Sequence, residues 1–169
     1  MDPLFSHAPQ TSAPHGSVST PPSRVYRLVV PAPQDVAYSA FVGDIHLWWP
    51  HEYTGFGELT HAYVEDGVIG EESESGETQV WGEVVAEDSP SSIEFSWTLA
   101  WRADMPTHVR VEFESADDGG ATEVTFTHDG WTQGAEGQAQ YEKYSEWPII
   151  LGRYAAFFGR PRESVETLA

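Results

Sequence analysis

The sequence predicts an α+β domain in which an antiparallel sheet packs against one long C-terminal helix, and three features point to it. Tyr144, Trp147, Leu151, Tyr154 and Phe158 recur at steps of three and four within Tyr141 to Phe158 (YEKYSEWPIILGRYAAFF), the spacing of one helical stripe. Upstream, between Gly57 and His128, alternating apolar and polar residues are broken repeatedly by turn signals. Such an aromatic stripe needs a wide apolar partner, and a one-sided sheet supplies it.

The elements follow in order. Met1 to Ser23 is rich in Pro, Ser, Thr, His and Gly, so residues 1–23 are expected to form a disordered leader. Val25 to Val30 reads as the first strand, with Tyr26, Leu28 and Val30 on one face, and Pro31 and Pro33 stop it. Two short helices should follow. Asp35 is placed to cap the first, which carries Val36, Ala37, Ala40 and Phe41 and ends at Gly43; Asp44 is placed to cap the second, which Pro50 closes.

Six strand segments come next: GELTHAYVE, VIGEE, TQVWGEVVAED, SIEFSW, THVRVEFES and ATEVTFTH. Asp66-Gly67, Ser75-Gly76, Ser89-Pro90, Met105-Pro106 and Asp118-Gly119-Gly120 separate them. Ile93, Phe95 and Trp97 share a face, as do Val109, Val111 and Phe113, and Val124 and Phe126. The ordered domain is expected over residues 24–160, with a flexible tail over 161–169.

Composition narrows the function. The chain has 169 residues, 40% of them hydrophobic and 13% aromatic, enough for one good core. A net charge of −19, from 27 acids and 8 bases, disfavours nucleic acid and anionic membrane surfaces as partners. Without cysteine there is no disulfide, thiol chemistry or thiolate metal site. No apolar run approaches the ~20 residues of a membrane span, no secretory signal opens the chain, and a cytoplasmic location is expected.

With these elements in place, the chain resembles the START-like (SRPBCC) superfamily, most closely the branch named for the C-terminal domain of the activator of the heat-shock-protein-90 ATPase. The resemblance runs from about Val25 to Phe158. It rests on Trp48-Trp49-Pro50, on Trp81-Gly82-Glu83-Val84 with Ser89-Pro90, and on Phe95-Ser96-Trp97. Thr122-Glu123-Val124, Thr127-His128-Asp129-Gly130-Trp131, Trp147-Pro148 and Ile150-Leu151 continue it. Ile69-Gly70 departs from it, since the family often carries two glycines there. The resemblance implies a helix-grip fold: a seven-stranded antiparallel sheet curved around the long helix, two short helices after strand 1, and an apolar cavity between sheet and helix.

The expected cavity wall comprises Trp81, Phe95, Trp97, Val111, Phe113, Phe126, His128, Tyr144, Trp147 and Leu151, with Trp48 and Trp49 near the mouth. Such walls hold flat or greasy molecules by area burial and ring stacking; the competing reading is a core that its own rings fill. His128 continues the parity of Val124 and Phe126, so its ring should face the helix, as acid, base or structural group. Tyr141 and Tyr144 could add hydroxyls. Glu83 is the second catalytic candidate, because Gly82 suggests a bulge that could turn it inward.

His46, His51, Glu52 and His61 form no ligand pattern: His46 and His51 stand five apart with Pro50 between, and no metal or cofactor is expected. The acids Glu65, Asp66, Glu71, Glu72, Glu74 and Glu77 read as a solvated hairpin rim. Three functions remain. The preferred one is binding of a small apolar molecule; the others are a cyclase- or hydrolase-like enzyme, and a co-chaperone-like interaction domain whose protein partner is unidentified. The last is disfavoured because the chain shows no second folded domain.

Overall fold

The computed structural model describes residues 20–169, so the expected leader lies outside the described residues as far as residue 19. Within the described part of that stretch, the Trp131 indole Nε1 donates to the Pro22 carbonyl at 3.1 Å.

Strand β1 (Arg24–Val30) leads into helices α1 (Gln34–Val42) and α2 (Ile45–Trp48) and a 3-10 turn at His51–Tyr53. Strands β2 (His61–Glu65), β3 (Val68–Glu72), β4 (Thr78–Asp88), β5 (Ser92–Trp97), β6 (Thr107–Ala116) and β7 (Ala121–Asp129) follow. Helices α3 (Ala135–Lys143) and α4 (Trp147–Phe157) and the short strand β8 (Glu166–Thr167) complete the chain. The strands form one antiparallel sheet in the order β2-β3-β4-β5-β6-β7-β1-β8. This is the α+β helix-grip architecture. Among the described residues no helix is long and apolar enough to cross a membrane.

Register explains the one-sided core. Tyr26 stands opposite Phe126, Phe126 opposite Val111, and Val111 opposite Ile93. One row along, His128, Val109 and Phe95 are opposed in the same way. All seven are buried on one face, while their sequence neighbours are more exposed. The turn chemistry also matches the sequence: Asp66 and Gly67 both adopt positive φ, 52° and 78°, as a two-residue hairpin of the primed type requires. Helix α4 closes the core by pinning α1, with the Tyr154 hydroxyl donating to the Ala37 carbonyl at 2.7 Å.

Five expectations are corrected. The single long helix is two, α3 and α4, with Tyr144 to Glu146 outside both. A continuous helix would press the Pro148 ring against the Tyr144 carbonyl and leave that carbonyl without a donor; the chain breaks and restarts with Pro148 in the first turn of α4. The sheet has eight strands, because residues in the tail expected to be flexible form β8. It pairs with β1 and is anchored by Arg27–Glu166 at 2.7 Å. Neither Asp35 nor Asp44 makes a side-chain cap; Pro33 precedes α1, which places Asp35 in its first turn, where a negative charge suits the helix dipole. Val36 points to solvent, and Tyr38 is buried with Ala37, Ala40 and Phe41.

The fifth correction is Glu71, which is 0% exposed rather than on a solvated rim. A register shift at Ile69/Gly70 leaves Trp81 as an extra residue on β4, and its indole meets the Glu71 carboxylate. That carboxylate accepts from Trp81 Nε1 (2.9 Å), Gly55 N (2.5 Å), Phe56 N (3.2 Å) and Thr60 Oγ1 (2.7 Å). One side chain thereby ties the loop before β2 to the indole of β4. Because its partners are donors, Glu71→Gln sets an amide N–H2 against backbone N–H. The substitution should cost about 1–3 kcal/mol in denaturant unfolding and raise hydrogen exchange at Gly55 and Phe56. A change below about 0.5 kcal/mol would show that the carboxylate is not what holds this loop.

Candidate functional site: an aromatic pocket at the mouth of the grip

Four tryptophans from separate elements converge where the sheet opens beside α4. Trp49 follows α2, Trp81 lies on β4, Trp97 ends β5, and Trp147 begins α4. Their ring centroids are 4.9 Å apart for Trp49–Trp81, 6.0 Å for Trp49–Trp97 and 5.3 Å for Trp97–Trp147. Trp49 and Trp147 meet nearly edge to face, at 79°. Phe126 backs Trp147 at 4.3 Å. Pro50 and Pro148 follow two of these indoles directly; Trp49 has the extended backbone that a following proline favours, and Pro148 lies in the first turn of α4.

A pocket of about 270 Å³ lies over this cluster. Its floor is Trp49, Trp97, Leu99, Tyr144, Trp147 and Ile150, and its rim carries Glu52, Tyr53, Lys143 and Glu146. The Tyr144 hydroxyl donates to the Leu99 carbonyl at 2.6 Å, tying the end of α3 to the β5–β6 loop; burial pushes its pKa upward. Ala100, also lining the pocket, has φ 63°, a left-handed conformation that strains a residue with a Cβ. A hydrogen bond to Glu146, with burial, pushes the Tyr53 hydroxyl up to about 12.

Of the twelve expected cavity residues, Trp49, Trp97, Tyr144 and Trp147 line this pocket. Trp48, Trp81, Phe95, Val111, Phe113, Phe126, His128 and Leu151 are buried beneath it and fill the space between sheet and helix themselves. The opening is therefore displaced from the centre of the grip to its mouth. Ile150 was legible in principle, one helical step from Trp147, whereas Leu99, Lys143 and Glu146 come from loops or helix ends without periodicity.

The catalytic candidates are not brought together. His128 is 0% exposed, and both ring nitrogens are engaged. Trp147 Nε1–H donates to its Nδ1 at 2.9 Å, so the proton of the neutral ring sits on Nε2 and is donated to Thr107 Oγ1 at 2.6 Å. The Thr107 hydroxyl then donates onward to the Trp97 carbonyl at 3.3 Å. Burial, aided by the charges of Arg24 and His108, lowers the imidazole to about 3. Such a ring holds its neighbours and exchanges no proton near neutrality. Glu83 is exposed on the edge-side stretch of β4, its N–H donating to Ser96 Oγ at 2.9 Å, so the bulge turns Trp81 inward and leaves Glu83 outside.

The other polar groups considered are also structural or dispersed. Arg24 donates twice to the Tyr141 carbonyl, at 2.9 and 2.7 Å, and its guanidinium lies 3.8 Å over the Tyr141 ring. His46 and His61 stack at 4.5 Å, and Glu52 lies 4.0 Å from Arg153. Among the described residues, no three His, Cys, Asp or Glu side chains form a metal-binding group.

The sheet order, the helix it grips and the aromatic mouth define the START-like class of domain. The chain matches the family described as Activator of Hsp90 ATPase homolog 1-like protein over residues 19–157, and belongs to it. It is similar to the crystal structure of an HSP90 activator from Plasmodium falciparum, with TM-score 0.58 and 20% identity over 82% of this chain and 97% of that one. The solution structure of the Aha1 dimer from Colwellia psychrerythraea matches with TM-score 0.51 and 17% identity, over 82% and 96%. The crystal structure of CalU16 from Micromonospora echinospora matches with TM-score 0.53 and 18% identity, over 82% and 78%. No curated protein matches the chain. At these identities the likeness is one of fold.

The depressed His128 pKa sets a direction for stability against pH. The unfolded ring, near its ordinary 6.5, binds a proton that the folded ring refuses until about 3. Stability is therefore complete above about pH 6.5 and falls as pH drops toward 3. The loss between about pH 6.5 and pH 5 should be about 1.5–2 kcal/mol. His128→Gln, which keeps an acceptor and a donor but cannot titrate, should flatten that segment of a chemical-denaturation pH series. An unchanged slope in the variant would mean that His128 is not the group responsible.

Proposed function

We propose that this domain is a binding module that takes a small apolar or aromatic molecule into the pocket at the mouth of the grip, without a cofactor. The observation that carries this reading is the floor of Trp49, Trp97 and Trp147, three indoles held in fixed mutual orientation under about 270 Å³ of open space. That volume lies just below the range of ordinary ligand pockets, about 300–1,000 Å³, and favours a ligand of one or two rings over a whole lipid. An enzymatic reading is weaker, because His128 is engaged at both nitrogens and Glu83 faces solvent.

A second reading follows from the family and from the HSP90 activator among its structural likenesses: docking of a chaperone ATPase. Two exposed apolar residues on the helices beside the pocket favour it, Leu47 at 60% and Ile149 at 53%. Stimulation of a purified Hsp90 ATPase that Leu47→Asp abolishes would support docking over small-molecule binding.

The pocket reading is tested by a thermal-shift screen of aromatic metabolites and lipids, followed by titration of the hits. Val111 is sealed in the core, so a bulky residue there would disrupt folding; Leu99 is the position to fill. Leu99→Trp should weaken binding of any hit at least tenfold while leaving a cooperative unfolding transition. Undiminished binding to the filled variant would place the ligand elsewhere.

A further inference from the structure

The rim of the pocket is not neutral, and its charge bears on what the aromatic floor would hold. Two carboxylates, Glu52 and Glu146, and one ammonium, Lys143, line the opening. Glu52 is already approached by Arg153 at 4.0 Å. Glu146 has no ion-pair partner among the described residues, and it lines the pocket together with Tyr53, whose hydroxyl it helps push up to about 12. Beneath lie the indoles of Trp49, Trp97 and Trp147, aromatic rings of the kind whose π-systems attract cations. The chain around them carries a net charge of −19, which biases encounter toward positive ligands.

We infer that the pocket selects an organic cation, an ammonium group on an apolar or aromatic body, with Glu146 as its counter-charge. The inference rests on the pocket reading above and adds a sign to it. Rim acids and aromatic rings act in the same direction, and Lys143 opposes them. An anion would gain Lys143 but would meet Glu52 and Glu146. Its entry would also work against the charge of the whole chain.

Three nearly isosteric probes separate the terms: benzyltrimethylammonium, neopentylbenzene and benzylsulfonate, titrated at neutral pH and low salt while tryptophan fluorescence is followed. The cation should bind about three- to thirtyfold more tightly than the uncharged isostere, with the sulfonate weakest. Glu146→Gln should bring the cation and the hydrocarbon closer together, Lys143→Gln should widen the gap, and added salt should narrow it. Equal binding of cation and hydrocarbon would overturn the charge preference and leave the pocket reading intact. Tightest binding by the sulfonate would overturn it in favour of Lys143. Failure of all three to bind would remove both the preference and the pocket on which it rests.

Discussion

The hydrogen bond from the Trp147 indole to His128 Nδ1 is the constraint on which the rest of the arrangement depends. It joins the sheet, at β7, to the first residue of α4, and it is made between two fully enclosed groups where an unpaired partner would be costly. By taking the Nδ1 lone pair it fixes the tautomer, and the fixed tautomer aims the remaining N–H at Thr107 and through it at the end of β5. A chain of three donations thus runs from helix to sheet and ties together Trp147 and Trp97, two of the rings that line the pocket. The break before Pro148 belongs to the same device. It lets α4 start afresh at Trp147, instead of inheriting its direction from α3.

This geometry decides what kind of chemistry the interior can perform. A histidine in a cleft is usually the first candidate for acid–base work, because its ordinary pKa lies near neutrality. Here the ring is sealed, both nitrogens are bonded, and its affinity for protons is lowered until it is a strut that is neutral near pH 7. The large rings that could have walled an internal cavity instead fill it, as close packing of aromatic residues favours. What stays open is a shallow, aromatic-floored mouth whose charged groups stand at the rim.

Much of this was legible in the sequence, and the parts that were not share a physical reason. Period-two alternation placed β5, β6 and β7 and their inward rings, because each residue reports its own side of the sheet. Asp66-Gly67 announced its turn through the positive φ that it adopts. Glu71 was misread as a rim acid because the extra residue Trp81 shifts the pairing, and a bulge leaves no mark in hydrophobic periodicity. The helix break was written at Pro148 but takes effect at Tyr144 to Glu146, one turn earlier, where its ring would have met a carbonyl. Strand β8 escaped notice because its stability comes from pairing with β1, and two residues carry no pattern. The pocket was displaced from its expected position because side-chain volume, rather than facing direction, determines which part of a core stays open.

Nitrogen NMR of the His128 ring, followed from about pH 7 to about pH 4, tests the central claim most directly. A structural strut should show a single neutral tautomer, protonated at Nε2 and bare at Nδ1, with no titration across that range. A ring that titrates between about pH 5 and pH 7, or that carries its proton on Nδ1, would contradict the claim and return His128 to the candidates for acid–base catalysis.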